Sequence, residues 1–387
     1  MKKKLAIITT HPIQYYAPLF KLLAQRKNVE IKVFYTWGEE VLKDKYDPGF
    51  GKVVAWDIPL LEGYNYEFVK NVAKDKGSHH RDGIDNPGLI SIIEPWEPSA
   101  LLVIGWNFKS HLAVLKSFKG KIPVFFRGDS TLLDEQPGFS LKKLARKIVL
   151  TRVYQYIDKA FFVGANNKDY YKKFGLSEEQ LIYAPHAIDN ERFSDQAVKY
   201  KEEAGQWRRR LEIEDTSIVY LFAGKLESKK DPVLLLKAFI KAQIPGSHLF
   251  FVGNGELEQQ LKESAAYQSN VHFMDFQNQK DMPVVYNMSD VFILPSKGPG
   301  ETWGLAINEA MACGIAVIAS DKCGGAIELI KNGENGYVFK AGNLENLMEK
   351  LILLNNRSII EKMGRNSLDR VKQFNFATIA EAIEKAC

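Results

Sequence analysis

What most limits the folding of this chain is a rhythm. Short runs rich in Ile, Val and Phe recur along it, apolar on both faces, and most lead into sequence with a 3.6-residue apolar period. In the first half the runs are residues 5–9, 31–35, 101–105, 124–127 and 160–163, with helical periodicity over 17–25, 110–118 and 141–156. In the second half they are 217–223, 248–252, 271–273, 291–294 and 316–319. Strands apolar on both faces belong to parallel sheets covered by helices, and functional groups gather in loops at their carboxyl ends. The expected fold class is therefore α/β, with two Rossmann-like doubly wound domains facing a cleft. The 387 residues suffice for two such domains, bounded here as 1–190 and 191–370, with 371–387 a terminal helix. Residues 189–215 are charged and suit a hinge segment plus one surface helix. The polar stretch 72–88 is long for a loop in a compact domain, which marks it as functional or mobile.

Composition excludes several classes. At 45% hydrophobic and 12% aromatic residues, wholesale disorder is out. No apolar run reaches the ~18 residues of a membrane-spanning helix. The opening MKKKLAIITTHP reads as a first buried strand, because its apolar stretch is too short for a signal peptide and meets His11 and Pro12. Cys313, Cys323 and Cys387 make neither a disulfide framework nor a metal-ligand spacing. The expectation is a soluble, cytoplasmic protein, with a peripheral position on the inner face of the membrane as an option.

Charge is uneven. Residues 1–190 carry 28 Lys and Arg against 21 Asp and Glu, whereas the remainder carries 24 against 26. Residues 139–173 hold nine basic side chains against Asp158 and Asp169, which accounts for the whole excess of their half. No nucleic-acid-binding motif accompanies them, so nucleic acid is not an expected partner. Leu141, Leu144, Ile148 and Val149 interleave with Lys142, Lys143, Arg146 and Lys147 at roughly helical spacing. Two readings follow: peripheral contact with an anionic membrane through residues 139–173, or the solvated face of an ordinary surface helix.

The richest chemistry starts at Pro295, in PSKGPGETWGLAINEAMACGIAVIAS. A strand ends in a loop with Gly298 and Gly300, then Glu301, then a helix from about Gly304 for which Thr302 is the expected N-cap. A glycine-rich turn feeding a helix aims backbone N–H groups and partial positive charge outward, a site for phosphate oxygens. Glu301 before the helix and Glu309 inside it flank that site. Their repulsion from phosphates has to be outweighed by hydroxyl groups donating to them, which a diphosphate with a sugar at each end supplies. The plainer reading is a surface glutamate and a mid-helix glutamate. Lys225 and Lys230, in another strand-to-helix loop, are placed to neutralise the same anion. No Asp-X-Asp triplet provides a divalent-metal clamp, so no metal and no cofactor are expected. Lysine-rich turns are often merely solvated, and Asp231-Pro232 also makes an ordinary helix start.

In the first half, Arg127-Gly128-Asp129-Ser130 follows a strand. Asp129 there either orients or deprotonates an acceptor hydroxyl, or caps the next helix. Arg127, His11, Gln14 and His111 join it as acceptor-side candidates, and His186 lies near the end of the first domain. Lone histidines in such places are more often satisfied polar residues than catalysts. His79-His80-Arg81-Asp82 is acceptor-selecting or simply exposed.

GKLESKKDPVLLLKAF, FVGNGELEQQL, VHFMDF, YNMSDVFILPS, GETWGLAINEAMACGIAVIAS and CGGAIELIKNGENGYVF resemble, in order and spacing, the GT-B glycosyltransferases of family 4 over residues 217–340. Glu301 and Glu309 match that family's E-seven-residues-E motif. The resemblance implies a retaining transferase that moves a sugar from a nucleotide-sugar donor to a hydroxyl of a glycan or lipid-linked acceptor, in cell-envelope or exopolysaccharide synthesis. It implies Lys225 and Lys230 on the donor diphosphate, and Gly304 and Leu305 as helix-start amides, with Gly300 and Thr302 in the same donor-side loop. It also implies Glu301 near the transferred sugar and Glu309 on the ribose. FNFATIAEAIEKA resembles the terminal helix that crosses back to the first domain. The chain departs from the pattern at His11-Pro12-Ile13-Gln14-Tyr15, at Pro185-His186-Ala187-Ile188-Asp189, and at Asp275, where a glycine is usual. A nucleotide-sugar epimerase or hydrolase, or a non-catalytic sugar-nucleotide binder, would use the same donor site.

Overall fold

The computed structural model describes residues 3–42, 45–47, 52–54 and 56–387. The chain forms two compact units, and each is described by itself. In the first, the strands are β1 (Lys4–Thr9) and β2 (Glu30–Tyr35). A short antiparallel pair, β3 (Lys45–Asp47) and β4 (Lys52–Val54), comes next in the chain and groups with the second unit. The first unit continues with β5 (Asn65–Phe68), β6 (Ala100–Ile104), β7 (Val124–Arg127), β8 (Lys159–Phe162) and β9 (Leu181–Tyr183). They pair in parallel in the order β5-β2-β1-β6-β7-β8-β9. Central β1 is apolar on both faces because helices cover both, and Leu5 to Ile8 are fully buried.

The first unit ends at His186 and takes in one distant piece, Phe376–Cys387. The sequence-based boundaries at 190 and 370 differ from these by a few residues. The helix Phe376–Ala386 packs against Ala17–Arg26, burying Ile379, Ala380 and Ile383. Arg26 grips Glu384 with two hydrogen bonds, Nε to Oε1 at 2.8 Å and Nη2 to Oε2 at 3.0 Å. Such a partly exposed pair contributes about 1 kcal/mol or less. Each buried isoleucine contributes ~2 kcal/mol, so apolar burial dominates the docking and the ion pair sets its register.

The second unit spans Ala187–Asn375 together with the β3–β4 hairpin. Its strands are β10 (Ile218–Ala223), β11 (Ser247–Val252), β12 (Val271–Met274), β13 (Val291–Leu294), β14 (Ala316–Ser320) and β15 (Gly336–Phe339). They run in parallel in the order β12-β11-β10-β13-β14-β15. Tyr220, Phe222, Leu249, Phe251, Ile293 and Ile318 form its core with Leu235, Phe239, Leu347 and Leu351 from covering helices.

The structure departs from the expected elements in several places. Residues 189–215 contain two helices, Asn190–Ser194 and Ala197–Arg210, not one. The second is more than a surface helix, because buried Arg208 anchors it to Met288 O at 2.8 Å and Asp290 Oδ2 at 2.6 Å. Strands β5, β9 and β15 were not anticipated; all three are short strands at sheet edges.

The helix Leu141–Tyr154 starts at Ser140, whose Oγ accepts from Lys143 N at 3.2 Å. It buries Leu150, Val153 and Tyr154 but leaves Leu141, Leu144, Ile148 and Val149 exposed, with Phe139 just before it 81% exposed. Lys142, Arg146 and Lys147 share that exposed stretch. Among the described residues, no helix is long and apolar enough to cross a membrane.

Candidate functional site

Each large sheet reverses its strand order once, between β1 and β6 in the first and between β10 and β13 in the second. Loops leaving the two strands at such a point run apart, which opens a crevice beyond their carboxyl ends. Lys225, Lys230, Gly300, Glu301, Thr302 and Gly304 all lie on the two loops flanking the β10/β13 reversal. The sequence had suggested these residues belong together, and the topology shows why.

The two loops are joined. Lys297 N donates to Lys229 O at 2.9 Å, and Lys297 Nζ stands 3.5 Å from Asp231 Oδ1. Across the same junction Lys230 Nζ pairs with Glu301 Oε2, which also accepts from Ser296 Oγ at 2.9 Å. The Glu301 and Lys230 side chains are only 10% and 20% exposed, so solvent screens this contact weakly. A third loop, after β14, braces the second. Gly324 N donates to Glu301 O and Gly325 N to Trp303 O, each at 2.9 Å. A Cβ on Gly324 would stand 1.8 Å from Thr302 O, so this approach requires glycine.

The helix Leu305–Ala312 follows Gly304, whose φ of 96° lies in the left-handed region that favours glycine. No side chain caps this helix. Thr302 is therefore not the expected N-cap: the chain turns at Gly304, and the Thr302 carbonyl is committed to packing against Gly324. The positive end of the helix lies at Gly304 and Leu305, beside Lys230 and Glu301. One turn on, Glu309 is almost wholly buried and its Oε2 accepts from Tyr286 Oη at 2.8 Å. Cys323, buried behind the loop, has its thiol pushed up to about 12 by burial and then by the nearby Glu301 charge. It stays a neutral packing group.

The acceptor-side candidates fare differently. Arg127 ends β7 fully buried, donating through Nη1 to Ala184 O at 2.7 Å and through Nη2 to Pro185 O at 3.0 Å. It fixes the segment that closes the first unit, so its proposed contact with an acceptor gives way to a structural role. His111 is likewise buried, with Nδ1 2.7 Å from Gly105 O and Nε2 2.8 Å from Thr36 Oγ1. Burial holds its imidazole down to about 4, so it is neutral and fully engaged, not presented to an acceptor. Asp129 is about half-exposed, its Oδ2 3.7 Å from His186 Nε2. It does not cap the following helix, which starts at Ser140. His186 is kept neutral because its burial outweighs the pull of Asp129. His11 lies in the loop after β1, at the first sheet's reversal, with Nδ1 2.8 Å from Thr10 Oγ1 and its ring edge-on to Trp37. Gln14, in the same loop, is buried.

Relatives of known type resemble the second unit most extensively. Residues 203–370 match the family described as glycosyl transferases group 1. Over this stretch the chain is similar to the group 1 glycosyl transferases. Spore coat protein SA of Bacillus subtilis is 31% identical over 204 residues, 49% of this chain and 52% of that protein. The UDP-Gal:alpha-D-GlcNAc-diphosphoundecaprenol alpha-1,3-galactosyltransferase of Escherichia coli is 24% identical over 286 residues, 69% and 70% of the two chains. Thus the chain spans about half the length of one of these relatives and about 70% of the other. Among solved structures, Anabaena HepE in complex with UDP and glucose superposes with a TM-score of 0.71 at 18% identity, over 99% of both chains. WaaG, a glycosyltransferase involved in lipopolysaccharide biosynthesis, gives 0.68 at 16% identity, again over 99% of each. The fold is GT-B.

Within the matched stretch, two contacts escaped the sequence. Ser296 orients Glu301, and Tyr286 orients Glu309 from a helix 23 residues away. Only Ser296 carried a signal, as the first polar residue past the β13 strand. At the departure from the family pattern, Asp275 Oδ1 accepts from Asn254 Nδ2 at 2.9 Å. Asn254 Oδ1 accepts from Phe276 N at 3.0 Å, so this loop is held through its side chains.

Proposed function

We propose that the chain is a retaining glycosyltransferase that binds a nucleotide sugar at the β10/β13 reversal and transfers the sugar to a hydroxyl of a glycan or lipid-linked acceptor. The observation that carries this reading is the convergence of Lys230, Glu301 and the uncapped start of the Leu305–Ala312 helix. The bond between the anomeric carbon and the diphosphate oxygen breaks, and the acceptor oxygen bonds to that carbon on the same face. The acceptor proton passes to the departing diphosphate oxygen. Negative charge grows on that oxygen in the transition state, where Lys225, Lys230 and the helix start stabilise it most. A lysine ammonium has three donors, so Lys230 can keep Glu301 and reach a phosphate oxygen. Glu301 takes sugar hydroxyls and faces the developing positive charge on the ring, and Glu309 takes the ribose. Lysines and amides supply the whole of this charge stabilisation, so the reaction needs no metal.

The relatives support the acceptor class, since the E. coli protein is named for a diphosphoundecaprenol acceptor. A lipid-linked acceptor calls for contact with a membrane. The exposed Leu141, Leu144 and Ile148, spaced three and four residues apart among exposed Lys142, Arg146 and Lys147, support peripheral binding to an anionic bilayer.

Turnover tests the reading. Glu301→Gln and Lys230→Ala are each expected to cut sugar transfer at least about tenfold in protein that remains folded. Wild-type turnover is expected to persist in EDTA. Full activity in both variants would contradict the assignment, and loss in EDTA would contradict metal independence.

A further inference from the structure

The polar loop that follows β5 takes no part in the chemistry above. Two asparagines lock its ends. Asn71 Nδ2 donates to Gly83 O at 2.8 Å, and its Oδ1 accepts from Ala73 N and Asp85 N at 3.0 Å each. Asn86 Nδ2 donates to Thr36 O and Lys70 O, both at 2.9 Å. Gly77 N bonds Gly83 O at 3.1 Å, and a Cβ on Gly83 would stand 2.1 Å from Gly77 O. The limbs can touch only because residue 83 is glycine.

This closure brings together three side chains that ligate metals. Asp75 Oδ2 lies 3.1 Å from His80 Nε2 and 3.8 Å from His79 Nε2. One ligand atom from each of the three lies within 4.8 Å of the others. Bonds of ~2.0–2.2 Å to imidazole nitrogen and carboxylate oxygen put neighbouring ligands of a tetrahedral or octahedral ion roughly 3–3.5 Å apart. Of the three separations one already fits, and the other two, both within 4.8 Å, are brought in by rotating exposed side chains. Asp75 and His79 are exposed and His80 is partly so, which leaves an entry path and room for water on the remaining positions.

We propose that Asp75, His79 and His80 bind one Zn²⁺ ion, which ties down the tip of this loop. Two imidazoles and a carboxylate form a donor set suited to that ion. The site lies in the first unit, whereas Lys225, Lys230, Glu301 and Glu309 lie in the second. Its loading can therefore be measured apart from the donor reaction.

The test is a titration of full-length, metal-stripped protein lacking any added polyhistidine. Co²⁺ is followed by its visible absorption, and Zn²⁺ by competition with a chromophoric chelator. One equivalent is expected to bind. His79→Ala, His80→Ala and Asp75→Asn are each expected to weaken binding by at least about tenfold, and the double histidine variant to abolish it. These side chains are largely solvent-facing, so circular dichroism is expected to show folded variants. No saturable binding by wild type up to millimolar metal would overturn the proposal, as would unchanged stoichiometry and affinity in the double variant.

Discussion

A charged or titratable side chain at the end of a strand has two possible fates, and its partners decide which. Glu301 and Lys230 are held by each other and by Ser296 at the mouth of a topological crevice, poised for exchange with an anion. Arg127 and His111 also stand near strand ends, but both are buried with backbone and hydroxyl partners. The sequence offered the same pattern for all four. What set Lys230 and Glu301 apart was the loop around them, with its glycines and spaced glutamates. Nothing local betrayed that Arg127 reaches a carbonyl 57 residues away or that Thr36 meets His111. The buried histidine has a measurable consequence. Its imidazole titrates near 4 in the folded protein against 6.5 ordinarily, so the unfolded chain binds the extra proton first as pH falls. The contribution is fully present above pH 6.5 and is lost progressively down to about 4; at 1.36 kcal/mol per pKa unit it is on the order of 3 kcal/mol. Melting temperature should fall over that window, and His111→Gln should flatten part of the fall. An unchanged slope in the variant would contradict a buried, neutral His111. His186, His248 and His272 are shifted in the same direction by burial and steepen the same limb.

At the level of elements, the sequence was informative where strands are central. β1, β6, β10, β13 and β14 are apolar on both faces, and their runs were readable within a residue or two. β5, β9 and β15 lie at or near sheet edges, need only one buried face, and blend into loop sequence. The loop after β5 read only as long, and so functional or mobile, because its order comes from asparagine side chains and one close glycine contact, neither of which has a period. The basic helix Leu141–Tyr154 was visible, and of its two readings, membrane contact or a solvated face, the exposure of its apolar residues supports the first as a proposal. Its outer face presents leucines and an isoleucine to solvent, which a merely solvated face would replace with polar residues. Binding to vesicles containing anionic lipid is expected at low salt and should weaken as ionic strength rises. Leu144→Glu with Ile148→Glu should abolish co-sedimentation while leaving the fold intact. Equal co-sedimentation by this variant would remove the helix from the account.

At the level of the whole molecule, two parallel sheets each reverse strand order once, and each reversal gathers polar residues: His11 and Gln14 in the first, Lys225, Lys230 and Glu301 in the second. The last helix returns to the first unit by apolar burial, with Arg26 and Glu384 aligning it. The central claim is that the second unit holds a nucleotide sugar through its diphosphate. The most direct measurement is thermal unfolding of the full chain against UDP, GDP, ADP and their common sugar conjugates, for wild type and for Lys230→Ala. At a ligand concentration ~100 times the dissociation constant, binding adds roughly 2.7 kcal/mol of stability. At least one nucleotide should raise the wild-type melting temperature, and Lys230→Ala should lose most of that rise. No shift with any nucleotide, or the same shift in the variant, would contradict a donor site built on Lys230 and Glu301.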